Sequence, residues 1–269
     1  MRAGKETRKV ASRAGNSQTL TMIARIGFAA NGLIHVLMGY LALQIAFHHG
    51  GESDQSGAFA QLMKLPGGVI VLWVTVVGLA ALSLWFLLQA GLGIGSSSKK
   101  RWTRSLSALG NAIAYIAVAS TALSFALRRP SDSSTSTSQT SADILSFPGG
   151  QFLLITIGLA TVGIGCYFIY KGARQKFRND IRIPSGSAKK VVVAVAITGH
   201  IAKGIAILTL GILFIVAAVK VDPGNATGLD GALKALTALP FGEAVLAVVG
   251  VGLIAYGLYS FARARLALL

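Results

Sequence analysis

Pro66-Gly67-Gly68, Pro148-Gly149-Gly150 and Pro240-Phe241-Gly242 mark three equivalent points, spaced roughly 80 to 90 residues apart. Each lies between two apolar stretches. The first begins Pro66-Gly67-Gly68-Val69-Ile70-Val71-Leu72-Trp73 and runs apolar to residue 94. A hydrocarbon core about 30 Å thick needs roughly 20 consecutive apolar residues as helix. Six stretches meet this: 22–47, 66–94, 105–127, 149–171, 191–219 and 242–262. They are apolar on every face, whereas barrel strands alternate. The expected fold is therefore all-α and integral to a membrane. Six transmembrane helices form three tandem two-helix hairpins around a pseudo-threefold axis.

Composition agrees, with 53% hydrophobic and 13% charged residues. The net charge of +16 is explained by where it lies. Alternating the polar segments between two sides puts 19 Lys and Arg on the side of the termini. That side holds the tail at 1–21, the loop at 95–104, the segment at 176–190 and the end of the last helix. The other side carries Lys64, Arg128, Arg129, Lys220 and Lys234, and seven of the nine acidic residues. The positive-inside rule then places both termini in the cytoplasm of a bacterial cell, with the chain in the inner membrane. The basic loops also suit anionic lipid headgroups. Nucleic acid is not an expected partner, because aromatics do not interleave with the basic runs. Helix 1 is too long for a signal-peptide apolar region and is expected to be retained.

The repeat extends beyond the marker. The odd helices align as Asn31-Gly32-Leu33-Ile34-His35, Asn111-Ala112-Ile113-Ala114-Tyr115 and Lys203-Gly204-Ile205-Ala206-Ile207. In the even helices Trp85, Tyr167 and Tyr259 each stand nineteen residues after the marker proline, followed by Gln89, Lys171 and Arg263. The loops at 57–66 and 231–240 match position for position. Phe59 with Leu62 and Leu233 with Leu236 predict short amphipathic outer-loop helices. Residues 131–141 are rich in Ser and Thr and predict a flexible loop. The units are 22–94, 105–175 and 191–265. Each holds an even number of spans, so all enter from one side as parallel repeats, unlike inverted-repeat transporters.

Three two-helix units, the Ala24-Arg25-Ile26-Gly27 entry and the Gly231-Ala232…Leu239-Pro240-Phe241-Gly242 pattern resemble a bacterial family common in actinobacteria, catalogued as domain of unknown function 1206. The resemblance covers about 22–265 and implies six helices in three units. It implies no activity. The second unit departs from the entry pattern with Arg104-Ser105, and the third lacks the arginine.

Candidate site residues are few. Lys203 lies about twelve residues past Lys189-Lys190, hence roughly 18 Å along its helix. Ionisable groups at that depth are functional candidates by default. With Asn31 and Asn111 at the equivalent positions, it would form a polar ring if the odd helices turn these faces inward. His200 and His35 lie on the same faces. The plainer alternative is that Lys203 snorkels to the interface while the amides bond between helices. The glycines of helices four and six are expected to serve packing.

No catalytic motif or apolar-centre carboxylate is present, so a non-enzyme is expected, with no cofactor and no metal. His48-His49 is a poor preorganised metal site, and Cys166 stands alone. Two functions compete. One is a structural or partner-binding membrane subunit. The other is a channel or transporter for a small polar or anionic solute at Lys203, Asn31 and Asn111.

Overall fold

The computed structural model describes residues 18–47, 52–92 and 101–267. Six long helices are apolar and long enough to cross a membrane: α1 (Gln18–Ala46), α3 (Gly68–Leu92), α4 (Arg101–Ala126), α6 (Gly150–Ala173), α7 (Ser187–Lys220) and α9 (Gly242–Leu266). Three shorter helices, α2 (Gln55–Lys64), α5 (Ser133–Ser146) and α8 (Gly228–Ala235), lie between the members of each unit. The chain is thus an all-α membrane protein of three parallel hairpins. The tail at 1–17, His48, His49 and residues 95–100 lie outside the described residues.

The marker motif sets up the entry to each even helix. Gly67 and Gly149 take left-handed φ values of +77° and +83°, and Phe241 takes +59° at the equivalent position. The next residue is glycine for a different reason. A Cβ on Gly68, Gly150 or Gly242 would collide with the carbonyl oxygen of Leu62, Ile144 or Thr237 in the preceding turn. One position needs the conformation and the other needs the space.

The closest helix pairs join different units. α6 crosses α7, α9 crosses α1, and α3 packs along α4. The first two crossings use the same residues. Gly165 meets Gly204 and Gly158 meets Gly211, just as Gly257 meets Gly32 and Gly250 meets Gly39. At these four contacts an added Cβ would fall 2.5–2.9 Å from the facing carbonyl oxygen. In the third crossing Ala112 and Ala119 hold the odd-helix positions, and both are buried. Close backbone approach supplies dispersion contact where lipid offers no hydrophobic drive for association. The odd–even contact between neighbouring units is therefore the repeated packing element, and α9 on α1 closes the cycle.

Within units the contacts are unequal. α1 packs on α3 and α7 packs on α9, but α4 and α6 do not pack along one another. The middle unit is splayed. Its two helices are also the least buried of the six, at 17% of the apolar window each.

The predicted outer amphipathic helices are present. Phe59 and Leu62 of α2 and Leu233 and Leu236 at α8 are buried, while Lys64 and Lys234 are exposed. The expected flexible loop at 131–141 is instead corrected to helix α5. Asp132 caps it, with Oδ1 accepting from the Ser134 N–H at 2.8 Å and Oδ2 from the Thr135 hydroxyl at 2.6 Å. Ser136, Thr137 and Thr140 donate to carbonyls four residues back, so the hydroxyls are satisfied locally. Neighbours then hold the helix: Ser56 pairs with Ser133, and the Ser138 hydroxyl donates to the Ala226 carbonyl at 3.1 Å. Asp230 closes the triangle by accepting from the Ser53 N–H at 2.7 Å. The three short helices form one cap. Asp54, 1% exposed within it, caps α2 through the Gly57 N–H. Burial pushes its carboxyl up to about 6, against that hydrogen bond, with the Asp230 and Glu52 charges adding to the rise.

Candidate functional site

Lys203 faces the interior. Its helix neighbours Ala202 and Gly204 are buried, because Gly204 crosses Gly165 and Ala202 meets Gly252. The ammonium is carried over the Tyr256 ring at 4.2 Å and the Phe168 ring at 5.1 Å from their centroids. Such contacts are worth about 2 kcal/mol or more where desolvated. Lys203 nonetheless stays only partly buried.

Tyr256 is the hub of the cluster. The His35 ring lies 4.7 Å from it and the His200 ring 5.3 Å, centroid to centroid. Each histidine Nδ1 donates to the carbonyl four residues back, His35 to Asn31 at 2.8 Å and His200 to Ala196 at 2.7 Å. A carbonyl only accepts, so Nδ1 carries the proton in both and Nε2 is bare in the neutral ring. His200 also packs on Tyr259 and Phe177, at 4.8 and 5.4 Å.

One turn towards the basic end, Arg263 lies over the Phe28 ring at 4.3 Å. Its Nε and the hydroxyl of Tyr259 are buried and have no hydrogen-bond partner among the described residues. Arg263 and Tyr115 of α4 lie within electrostatic reach of Lys203, and Arg263 is in turn within reach of Tyr115 and of the Asp180 carboxylate. Among the described residues neither cation is in an ion pair. At the edge of the cluster Asp180 forms an ion pair with Lys171 at 2.6 Å.

The three positions expected to form a ring have separate roles. Asn31 is buried and donates its amide to the Ser260 hydroxyl at 3.1 Å, which itself donates to the Tyr256 carbonyl. It braces α1 against α9. Asn111 is half-buried on the Tyr115 face of α4, one turn away. Among the described residues no hydrogen bond joins Asn31, Asn111 and Lys203. The histidines do lie beside Lys203, through Tyr256.

Sequence reasoning missed Tyr256, Tyr115, Phe168 and Ser260, and placed Arg263 at the interface only. A signal for Tyr256 was present. Sixteen residues after the marker prolines stand Leu82, Ile164 and Tyr256, so the third unit breaks symmetry there as it does at Lys203. Among the described residues, no group of three His, Cys, Asp or Glu is placed to hold a metal.

Fold and cluster define a multi-pass membrane protein with tandem two-helix units and an internal cluster of cationic and aromatic side chains. The family described as Domain of Unknown Function (DUF1206) matches it three times, at residues 26–93, 106–175 and 198–267, and the chain belongs to that family. It is 29% identical over 246 residues to "Uncharacterized protein YxxB" of Bacillus subtilis (strain 168), covering 89% of this chain and 88% of the relative. No solved structure matches.

Proposed function

We propose that the protein is a non-enzymatic receptor or carrier that binds an anionic ligand in the cleft between Lys203 and Arg263. It lies in the bacterial inner membrane with both termini cytoplasmic, a reading supported by the basic residues clustered on that side. One observation carries the binding role: two cations stand over aromatic rings inside an apolar bundle, and among the described residues neither is in an ion pair. A cation held in the bundle costs several kcal/mol unless something offsets its lost solvation. Aromatic faces offset part of that cost, and an anion would offset more. Tyr259 and the Arg263 Nε add donors.

The test is ligand-dependent stability in neutral detergent. Phosphate, sulfate and carboxylate compounds are screened for a raised unfolding temperature. A ligand at 100 times its Kd stabilises by about 2.7 kcal/mol. A bound anion should lose this effect in Lys203→Gln. If no anion, soluble or lipidic, stabilises the wild type, the reading is wrong.

A second reading, a structural or partner-binding subunit, is favoured by the open edge between α4 and α6, which a foreign helix could fill. Specific co-purification in mild detergent would support it.

A further inference from the structure

We infer that the ligand of this cleft is an anionic phospholipid, entering from the leaflet on the basic face between α4 and α6. This rests on reading the Lys203–Arg263 cleft as an anion site. The access routes narrow the choice. At the loop end the bundle is closed by α2, α5 and α8, which are bonded to one another in a triangle. At the basic end the segment after α6 folds back under the cluster. Phe177 and Ile181 are 0% and 2% exposed. Phe177 stacks on His200, and the Arg182 N–H donates to the Leu266 carbonyl at 2.8 Å. Among the described residues, the side between α4 and α6 has no such closure.

The residues along that side match a lipid in both halves. Asn111 and Tyr115 on α4 and Phe168 on α6 are all half-buried, as are Lys203 and Arg263 behind them. Ile164, one turn before Phe168 on the same face, is 50% exposed and apolar. A phosphate diester could reach Lys203 and Arg263 with its oxygens while its acyl chains stay among the aliphatic residues of α6 and in the bilayer. A soluble anion would have to cross either closed end or the hydrocarbon itself. Lys203 stands roughly 18 Å along α7 from Lys189-Lys190, so the headgroup is drawn in from the interface while the lysine extends towards it.

The experiment is native mass spectrometry of the full chain, purified in neutral detergent and offered equal amounts of dioleoyl phosphatidylglycerol and dioleoyl phosphatidylcholine. Phosphatidylglycerol should be retained about 10- to 30-fold over phosphatidylcholine, the preference two cations confer on one negative headgroup. Lys203→Gln with Arg263→Gln should bring the two lipids close to parity, and Lys203→Arg should keep the preference. Excess inorganic phosphate should not displace the lipid. Four results overturn the inference. Equal retention of the two lipids, with Lys203-dependent stabilisation by inorganic phosphate, leaves a soluble-anion site. Neither lipid preference nor any anion effect removes the anion reading as well. A preference unchanged in the double glutamine variant assigns the lipid to the basic loops. A second protein chain retained in place of lipid assigns the open edge to a partner helix. Should the double variant not fold, Lys203→Gln alone decides: it should lower the phosphatidylglycerol preference several-fold, and a preference unchanged in it assigns the lipid to the basic loops.

Discussion

Tyr256 shows how one side chain can fix the chemistry of an apolar interior. Its ring carries the Lys203 ammonium on its face and packs against His35 and His200. Ring and hydroxyl make separable contributions. Tyr256→Ala should destabilise by about 3–5 kcal/mol, the usual cost of deleting a buried aromatic. Tyr256→Phe keeps the platform and should cost under about 1.5 kcal/mol. Unfolding of both variants in denaturing detergent checks the order; equal losses would mean the hydroxyl matters more than the ring. At the outer cap Asp54 has its own signature. Its carboxyl is raised from 3.8 to about 6. Across that window the folded state holds the proton more tightly than the unfolded chain does. Stability of the cap therefore falls as pH rises from 4 to 6 and is level above, by about 3 kcal/mol at most. Asp54→Asn keeps a cap acceptor for Gly57 and should remove Asp54's part of the pH dependence, leaving the smaller contributions of Glu52 and Asp132. Hydrogen exchange in α2 reads this directly.

Elements in this fold are joined mainly by missing side chains. The Gly165–Gly204 contact leaves 2.8 Å between an added Cβ and the facing carbonyl oxygen. Gly165→Val should force α6 from α7 and cost about 1–3 kcal/mol, as overpacking does. Gly163, two residues earlier, has nothing within 4 Å of an added Cβ. Gly163→Ala should be neutral or stabilise by about 0.5–1 kcal/mol, the helix preference for alanine. Unfolding midpoints of the pair separate packing from propensity. The element scale is also where the sequence was hardest to read. The spans were legible because apolar runs of that length have one stable solution in lipid. The Ser-Thr stretch at 131–141 was not. Its helix depends on Asp132 as a cap and on hydroxyl contacts with Ser56 and Ala226, far away in the chain. Local composition records none of those partners.

Across the whole molecule, the repeats close into a cycle at α9 and α1 yet remain open between α4 and α6. The tandem repeat was readable from the marker prolines and from charge placement. Which faces meet was not, because periodicity gives a helix its stripe and not its neighbour. Lys203 was recognisable as an intramembrane cation, and Asn31 and Asn111 as its counterparts. Their separation, with Asn31 bonded to Ser260 and Lys203 on aromatic rings, follows from third-unit substitutions that pair across helices. The open edge between α4 and α6 and the two cations, in no ion pair among the described residues, belong together at this scale in the lipid site we propose. A structure determined in phosphatidylglycerol-containing lipid, at a resolution that shows headgroups, tests this most directly. The account requires headgroup density against Lys203 and Arg263, with acyl density leaving between α4 and α6. A cleft filled by protein side chains, or α4 packed against α6 along the span, would contradict it.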